Sequence, residues 1–179
     1  MATEFEAKVL DIDPDEMTAR ILVAGGTLTR AITTMRRYVY DIDPTDATRW
    51  IRLRDNGNQT TLTVKEIRND NIDGTDETEI VVNDFATTNL LLEKLGFNAK
   101  SYQENRRTSF AFGHAQLEID QWPLIPPYLE IESTSPEEVI ATARKLAIGE
   151  EQLTGENTVK VYARHHINLA DIKELRFPN

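Results

Sequence analysis

Glu4-Phe5-Glu6-Ala7-Lys8 sets charged and apolar residues in strict alternation near the start of the chain. Successive side chains of a β-strand point to opposite faces, so Glu4, Glu6 and Lys8 share one face while Phe5 and Ala7 share the other. The same device returns in Glu118-Ile119-Asp120 and in Glu130-Ile131-Glu132. Three strands therefore carry paired acids on one side and apolar residues on the other. Cations sort in the same manner onto other segments. Trp50, Arg52 and Arg54 share a face, as do Thr61, Thr63 and Lys65, and further arginines stand at Arg36-Arg37 and Arg106-Arg107.

Outward from these stretches, further strands are predicted over residues 3–10, 35–41, 49–55, 60–67, 77–82, 98–112, 115–121, 127–133 and 158–163. Asp55-Asn56-Gly57-Asn58 is a hairpin signal between the strands of 49–55 and 60–67, and Gly113-His114 is a weaker one. Asp13-Pro14-Asp15-Glu16 and Ser135-Pro136-Glu137-Glu138 combine a cap residue, a proline at the first helical position and early acids, so each opens a helix. Those helices are expected to end at Gly25-Gly26 and near Gly149. Asn83 or Asp84 opens another, which carries Leu90, Leu91, Leu92 and Leu95 and stops at Gly96. A short last helix is placed over 169–175. Pro123, Pro126 and Pro127 enforce a turn before Tyr128. The pattern is α+β and mostly antiparallel, without the regular strand–helix alternation of a doubly wound sheet. An acidic alternation followed by a proline-containing cap occurs at both ends, a faint internal echo.

The chain has 179 residues, enough to bury a core as one domain over 1–179, and a net charge of -10. That charge argues against a broad nucleic-acid surface, which would have to be basic. The absence of cysteine excludes disulfides, thiolate metal sites and cysteine nucleophiles, and fits a reducing compartment. No apolar run reaches membrane-spanning length, and the acidic start is unlike a signal peptide, so a cytoplasmic protein with no membrane partner is expected.

Polar alternation alone also describes a solvated face. If these faces turn inward, however, acids on three strands confront cations on the others, and buried charges must be paired or metal-bound. A polyphosphate with divalent cations satisfies both sets: carboxylates hold Mg²⁺ or Mn²⁺, while arginine and lysine neutralise phosphate oxygens.

The ordered set of motifs resembles the CYTH superfamily, the triphosphate tunnel metalloenzymes, and is closest to its class IV adenylyl cyclase-like branch. The resemblance rests on Glu4-x-Glu6-x-Lys8, Tyr38-Val39-Tyr40-Asp41, Trp50-Ile51-Arg52-Leu53-Arg54 and Leu62-Thr63-Val64-Lys65-Glu66. It continues through Leu95-Gly96-Phe97, Arg107-Thr108-Ser109-Phe110, Glu118-x-Asp120 and Tyr128-Leu129-Glu130-Ile131-Glu132.

It implies an eight-stranded antiparallel β-barrel, or tunnel, with a charged interior and helices packed outside. It further implies metal ligation by Glu4, Glu6, Glu130 and Glu132, with Glu118 and Asp120 as further acids near the ions. Lys8, Arg52, Arg54, Lys65 and Arg107 would cradle the triphosphate. The implied catalytic set is Glu4, Glu6, Lys8, Arg52, Arg54, Glu130 and Glu132. The activity is cleavage of a phosphoanhydride bond, as an adenylyl cyclase (ATP to cyclic AMP and pyrophosphate) or as a triphosphatase. The alternative is a non-catalytic nucleotide or polyphosphate sensor. The family also allows a homodimer.

One departure stands out, because relatives often carry lysine where this chain has Asn105. Arg106 points the wrong way by strand parity to replace it, which would leave the cradle one cation short. Glu79 either joins the interior or flanks it. Tyr38, Tyr40 and Trp50 read as packing or base-contacting groups, His114 and His165-His166 as surface residues, and Lys160 and Tyr162 as part of a last strand over the tunnel mouth.

Overall fold

A computed structural model describes residues 2–72 and 74–178, with side chains from Phe5 onward. In chain order the elements are β1 (Ala2–Val9), α1 (Pro14–Val23), β2 (Thr27–Asp41), β3 (Arg49–Asp55), β4 (Thr60–Ile67), β5 (Thr75–Val82), α2 (Phe85–Lys94), β6 (Ala99–Phe112), β7 (Ala115–Gln121) and β8 (Tyr128–Ser133). They continue with α3 (Pro136–Lys145), β9 (Leu153–Thr154), α4 (Thr158–Arg164) and β10 (Glu174–Leu175). The sheet runs β10-β6-β2-β3-β4-β5-β1-β8-β7, and an additional β6–β7 pairing brings this path back on itself. Every long-strand pairing is antiparallel; only the short β10 lies parallel to β6. Among the described residues ten strands replace the eight expected, the extra two being the two-residue β9 and β10.

Local chemistry sets the elements. The side chains of Asp13, Asp84 and Ser135 cap α1, α2 and α3, accepting from backbone N–H groups of the first turn. At the β3–β4 hairpin the Asp55 carboxylate accepts from the N–H of Gly57, whose φ of 86° suits glycine. The convex face is apolar. Ala7, Val9, Leu117, Ile119, Leu129 and Ile131 form one core cluster with residues of α1 and α3, while Tyr40, Ile51 and Leu53 pack against Phe85 and Leu92 of α2. Each fully buried leucine or isoleucine contributes about 1.5–3 kcal/mol, so this one-sided burial fixes which face of these strands turns inward.

The structure corrects several boundaries. Residues 158–163 are helical, because Asn157 accepts from the Lys160 N–H and opens α4, with Val161 and Tyr162 buried and Val159 exposed. Residues 169–175 hold a 3₁₀ turn and β10 instead of a helix. β2 begins at Thr27, eight residues before the expected start; this half pairs with β6 through register shifts and is largely exposed, so it lacks a period-two pattern. α3 stops at Lys145, and the turn after it carries Ala147 at φ 52°, ahead of Gly149.

Candidate active site

The concave face gathers the ionic residues. Glu6 and Lys8 of β1, Glu130 and Glu132 of β8, and Glu118 and Asp120 of β7 alternate with core residues on adjoining strands. The Glu4 backbone lies in β1, but its side chain falls outside the described residues. Arg52 and Arg54 of β3, Lys65 of β4 and Arg107 of β6 occupy the same face, as strand parity predicts.

On the acidic side two cations bind the carboxylates together. Lys8 Nζ lies 2.9 Å from Glu6 and 3.2 Å from Glu130. Burial alone would lower the Lys8 ammonium, but the charges of Glu6 and Glu130 outweigh it and hold the group above its ordinary value. Arg107 donates to fully buried Asp120 from Nε (2.7 Å) and Nη2 (2.6 Å), reaches Glu130 at 3.3 Å, and pairs with Glu118. Burial pushes the Glu130 carboxyl up, yet Lys8, Arg107 and Lys65 together hold it well below the usual carboxylate range. Burial raises the Tyr128 phenol further above its ordinary value, with Asp120 and Glu130 adding to the effect, so it is a neutral neighbour.

On the opposite wall Arg52 Nη2 lies 3.2 Å from Glu79 and 3.5 Å from Glu77, and Lys65 pairs with Glu77. Thr63 donates to Glu79 at 2.6 Å, and Arg54 approaches the same oxygen at 3.7 Å. Glu79 therefore joins the interior. Glu77 is an additional acid there, one that the sequence motifs above do not include, although it alternates with Glu79.

A further cation is present. Arg37 is buried on this face because Tyr38 and Tyr40, on the other side of β2, pack around α2. It sits opposite Arg54 in register, donates to Asn105 Oδ1, and stacks its guanidinium 4.6 Å from the Trp122 ring. Arg37 thus places a buried cation beside Asn105 on the concave face. Arg106 does face outward, over Phe177.

One end of this interior is closed. Trp122 and Tyr128 pack with Val161 and Tyr162 of α4, and the Tyr162 hydroxyl donates to the Pro123 carbonyl at 2.7 Å. Residues 158–163 cover this end, as expected, but as a helix. Toward the other end the concave positions open to solvent, with Glu79 one-third exposed and Val81 64% exposed. Trp50 is half-buried, and Tyr40 donates to Asn89 on the convex side. His114 is exposed, and His165 lies 3.6 Å from Asp11, away from the concave face.

The donor set suits a hard divalent cation. Glu6 faces Glu132 and Glu118 faces Glu130 directly across strand pairs, an arrangement that needs positive charge between the carboxylates. Among the described residues no three acids converge on one point. Mg²⁺ is commonly held by one or two carboxylates with substrate phosphates completing its shell, so two opposed glutamates fit it. Both oxygens of Asp120 are engaged by Arg107, which makes Asp120 the partner of that arginine in this arrangement.

A returning antiparallel sheet, apolar and helix-covered outside and ionic inside, defines a tunnel-type architecture. The chain belongs to the CYTH domain family, which matches residues 2–162. No curated protein matches it in a sequence comparison. Its fold is similar to that of a protein from Pyrococcus horikoshii OT3 (21% identity, TM-score 0.75, covering 88% of this chain and 98% of that one). It is similar also to a candidate adenylate cyclase from Vibrio parahaemolyticus (14% identity, TM-score 0.74, covering 90% and 98%). A third solved relative in fold is a candidate adenylyl cyclase from Hippeastrum, described as having a dominant triphosphatase activity (13% identity, TM-score 0.59, covering 96% and 100%).

Proposed function

We propose that this protein is a divalent-metal-dependent enzyme that binds a triphosphate on its concave face and cleaves a phosphoanhydride bond. The observation that carries this reading is the convergence of Arg37, Arg52, Arg54 and Arg107 on one buried face. Burial and the charges of the other three push Arg37 below its ordinary value, and Arg54 is lowered by Arg52, burial and Arg107. Buried guanidiniums that repel one another call for an anion among them.

In this reading Lys8, Arg52, Arg54, Lys65 and Arg107 hold phosphate oxygens, and exchange part of their carboxylate contacts for them on binding. Glu6 and Glu132 hold the ion, and the family resemblance adds Glu4 to that set. When bound, Mg²⁺ or Mn²⁺ neutralises phosphate charge and polarises the reacting centre. The arginines stabilise charge developing on the phosphoryl oxygens, and Lys8 and Arg107 keep Glu130 ionised and in place. No protein nucleophile is required, since water or a ribose hydroxyl attacks.

Family membership supports triphosphate chemistry, and fold relatives named as adenylate cyclase and as having triphosphatase activity support the two product outcomes. The test is incubation of the purified protein with ATP and with inorganic triphosphate, each with Mg²⁺ or Mn²⁺, resolving the products. Orthophosphate identifies the triphosphatase, cyclic AMP with pyrophosphate identifies the cyclase, and binding without turnover supports the sensor instead. Activity unchanged in both Glu6→Gln and Glu132→Gln would overturn the metal assignment.

A further inference from the structure

We infer that Arg37, Arg54 and Trp122 form an end-recognition subsite that takes the terminal phosphate of a linear polyphosphate at the closed end of the interior. The inference rests on the triphosphate reading above and assigns a direction to it. Arg37 and Arg54 stand directly opposite each other on β2 and β3, a like-charge pairing offset only on the Arg54 side, where Glu79 lies 3.7 Å away. The Nε atoms of both arginines and the Nε1 of Trp122 are buried N–H donors with no acceptor among the described residues. Buried donors ordinarily have partners, and here three occur on residues that adjoin one another.

Asn105 explains how Arg37 stays available. Its carboxamide accepts from Arg37 on one side and donates to Asp120 at 3.0 Å on the other. A neutral group is thus interposed between Arg37 and the nearest buried acid of this cluster. Among the described residues no carboxylate forms an ion pair with Arg37, in contrast to Arg52 and Arg107, which each contact more than one.

Position gives the direction. Trp122, against which Arg37 stacks, belongs to the cluster with Tyr128 and α4 that closes this end, so a chain entering here stops. A nucleoside, if the substrate has one, then lies toward the open end, away from Trp122. The group at the stop is a terminal phosphate, which carries about two charges near neutral pH against about one on an internal phosphate, and therefore calls for more donors.

The probes are linear inorganic triphosphate and cyclic trimetaphosphate, which has three phosphates and no end, titrated calorimetrically into the full-length protein with Mg²⁺. In Arg37→Gln the affinity for the linear chain should fall by about thirtyfold or more, the scale of removing one partner of a buried charged pair. Trimetaphosphate binding should change by no more than about threefold, in line with losing one distant charge.

The melting temperature of Arg37→Gln without phosphate should be unchanged or higher, because a buried cation lacking a carboxylate has been removed. Asn105→Asp, which places a carboxylate against Arg37 without removing the guanidinium, should weaken linear triphosphate binding in the same way. Equal losses on both probes, or no loss for the linear chain in either variant, would overturn end recognition while leaving the triphosphate site standing. Failure of the unsubstituted protein to bind either probe would overturn the parent reading, and this one with it.

Discussion

Arg107→Met puts the ionic interior to its most demanding structural test. Arg107 bridges three acids, taking both oxygens of Asp120 and contacting Glu118 and Glu130. Methionine keeps much of the length and the apolar stem but removes the charge. Asp120, fully buried, is then left with only the Asn105 amide among these contacts. Breaking a buried ion pair by removing one member costs about 3–5 kcal/mol. For a domain of this size each kcal/mol is worth roughly 2–4 °C, so the melting temperature should drop by about 6–20 °C. Urea unfolding at neutral pH, with an unchanged slope, measures the same loss as free energy. Combining Arg107→Met with Asp120→Asn should recover part of it, with a coupling on the order of 2 kcal/mol. A loss below about 1 kcal/mol, the range of solvent-exposed pairs, would show that these carboxylates are hydrated and that the interior account is wrong.

Glu130, held low by Lys8 and Arg107 despite burial, binds its proton more weakly folded than unfolded, so its contribution is present above the ordinary glutamate value of 4.5 and is lost as pH falls through the depressed folded value. The stability difference between the unsubstituted protein and Glu130→Gln should therefore shrink as urea titrations move below pH 4.5; a difference that stays constant with pH would contradict the pairing. Arg106→Ala, which removes an outward cation over Phe177, should leave triphosphate affinity within about twofold, since it loses only a screened surface charge. Tyr162→Phe should cost about 1–3 kcal/mol in thermal unfolding by stranding the buried Pro123 carbonyl.

Much of the fold was legible because one-sided burial and period-two alternation coincide. β3, β4 and β7 have the bounds read from sequence, and the concave placement of Arg52, Arg54, Lys65 and Arg107 follows from parity alone. Arg37 was harder to place, because Arg36 and Arg37 are adjacent and alternation cannot say which turns inward. The choice is made by Tyr38 stacking on Phe85 of α2, with Arg36 on the same outer side, a contact between segments far apart in sequence. Residues 158–163 misled because Val159, Val161 and Lys160 alternate like a strand; the Asn157 cap and the burial of adjacent Val161 and Tyr162 favour a helix turn. The amino-terminal half of β2 carries no clear alternation because most of its side chains are exposed, and pairing with β6 is what holds it in the sheet.

The most direct test of the central claim is a calorimetric titration of inorganic triphosphate into the purified protein with Mg²⁺ or Mn²⁺, beside an Arg52→Gln, Arg54→Gln double variant. Saturable binding of one triphosphate per chain, metal-dependent and weakened at least about a hundredfold in the variant by the loss of two charge-assisted contacts, is the predicted result. No saturable binding, or equal affinity in the two proteins, would contradict a triphosphate site on the concave face.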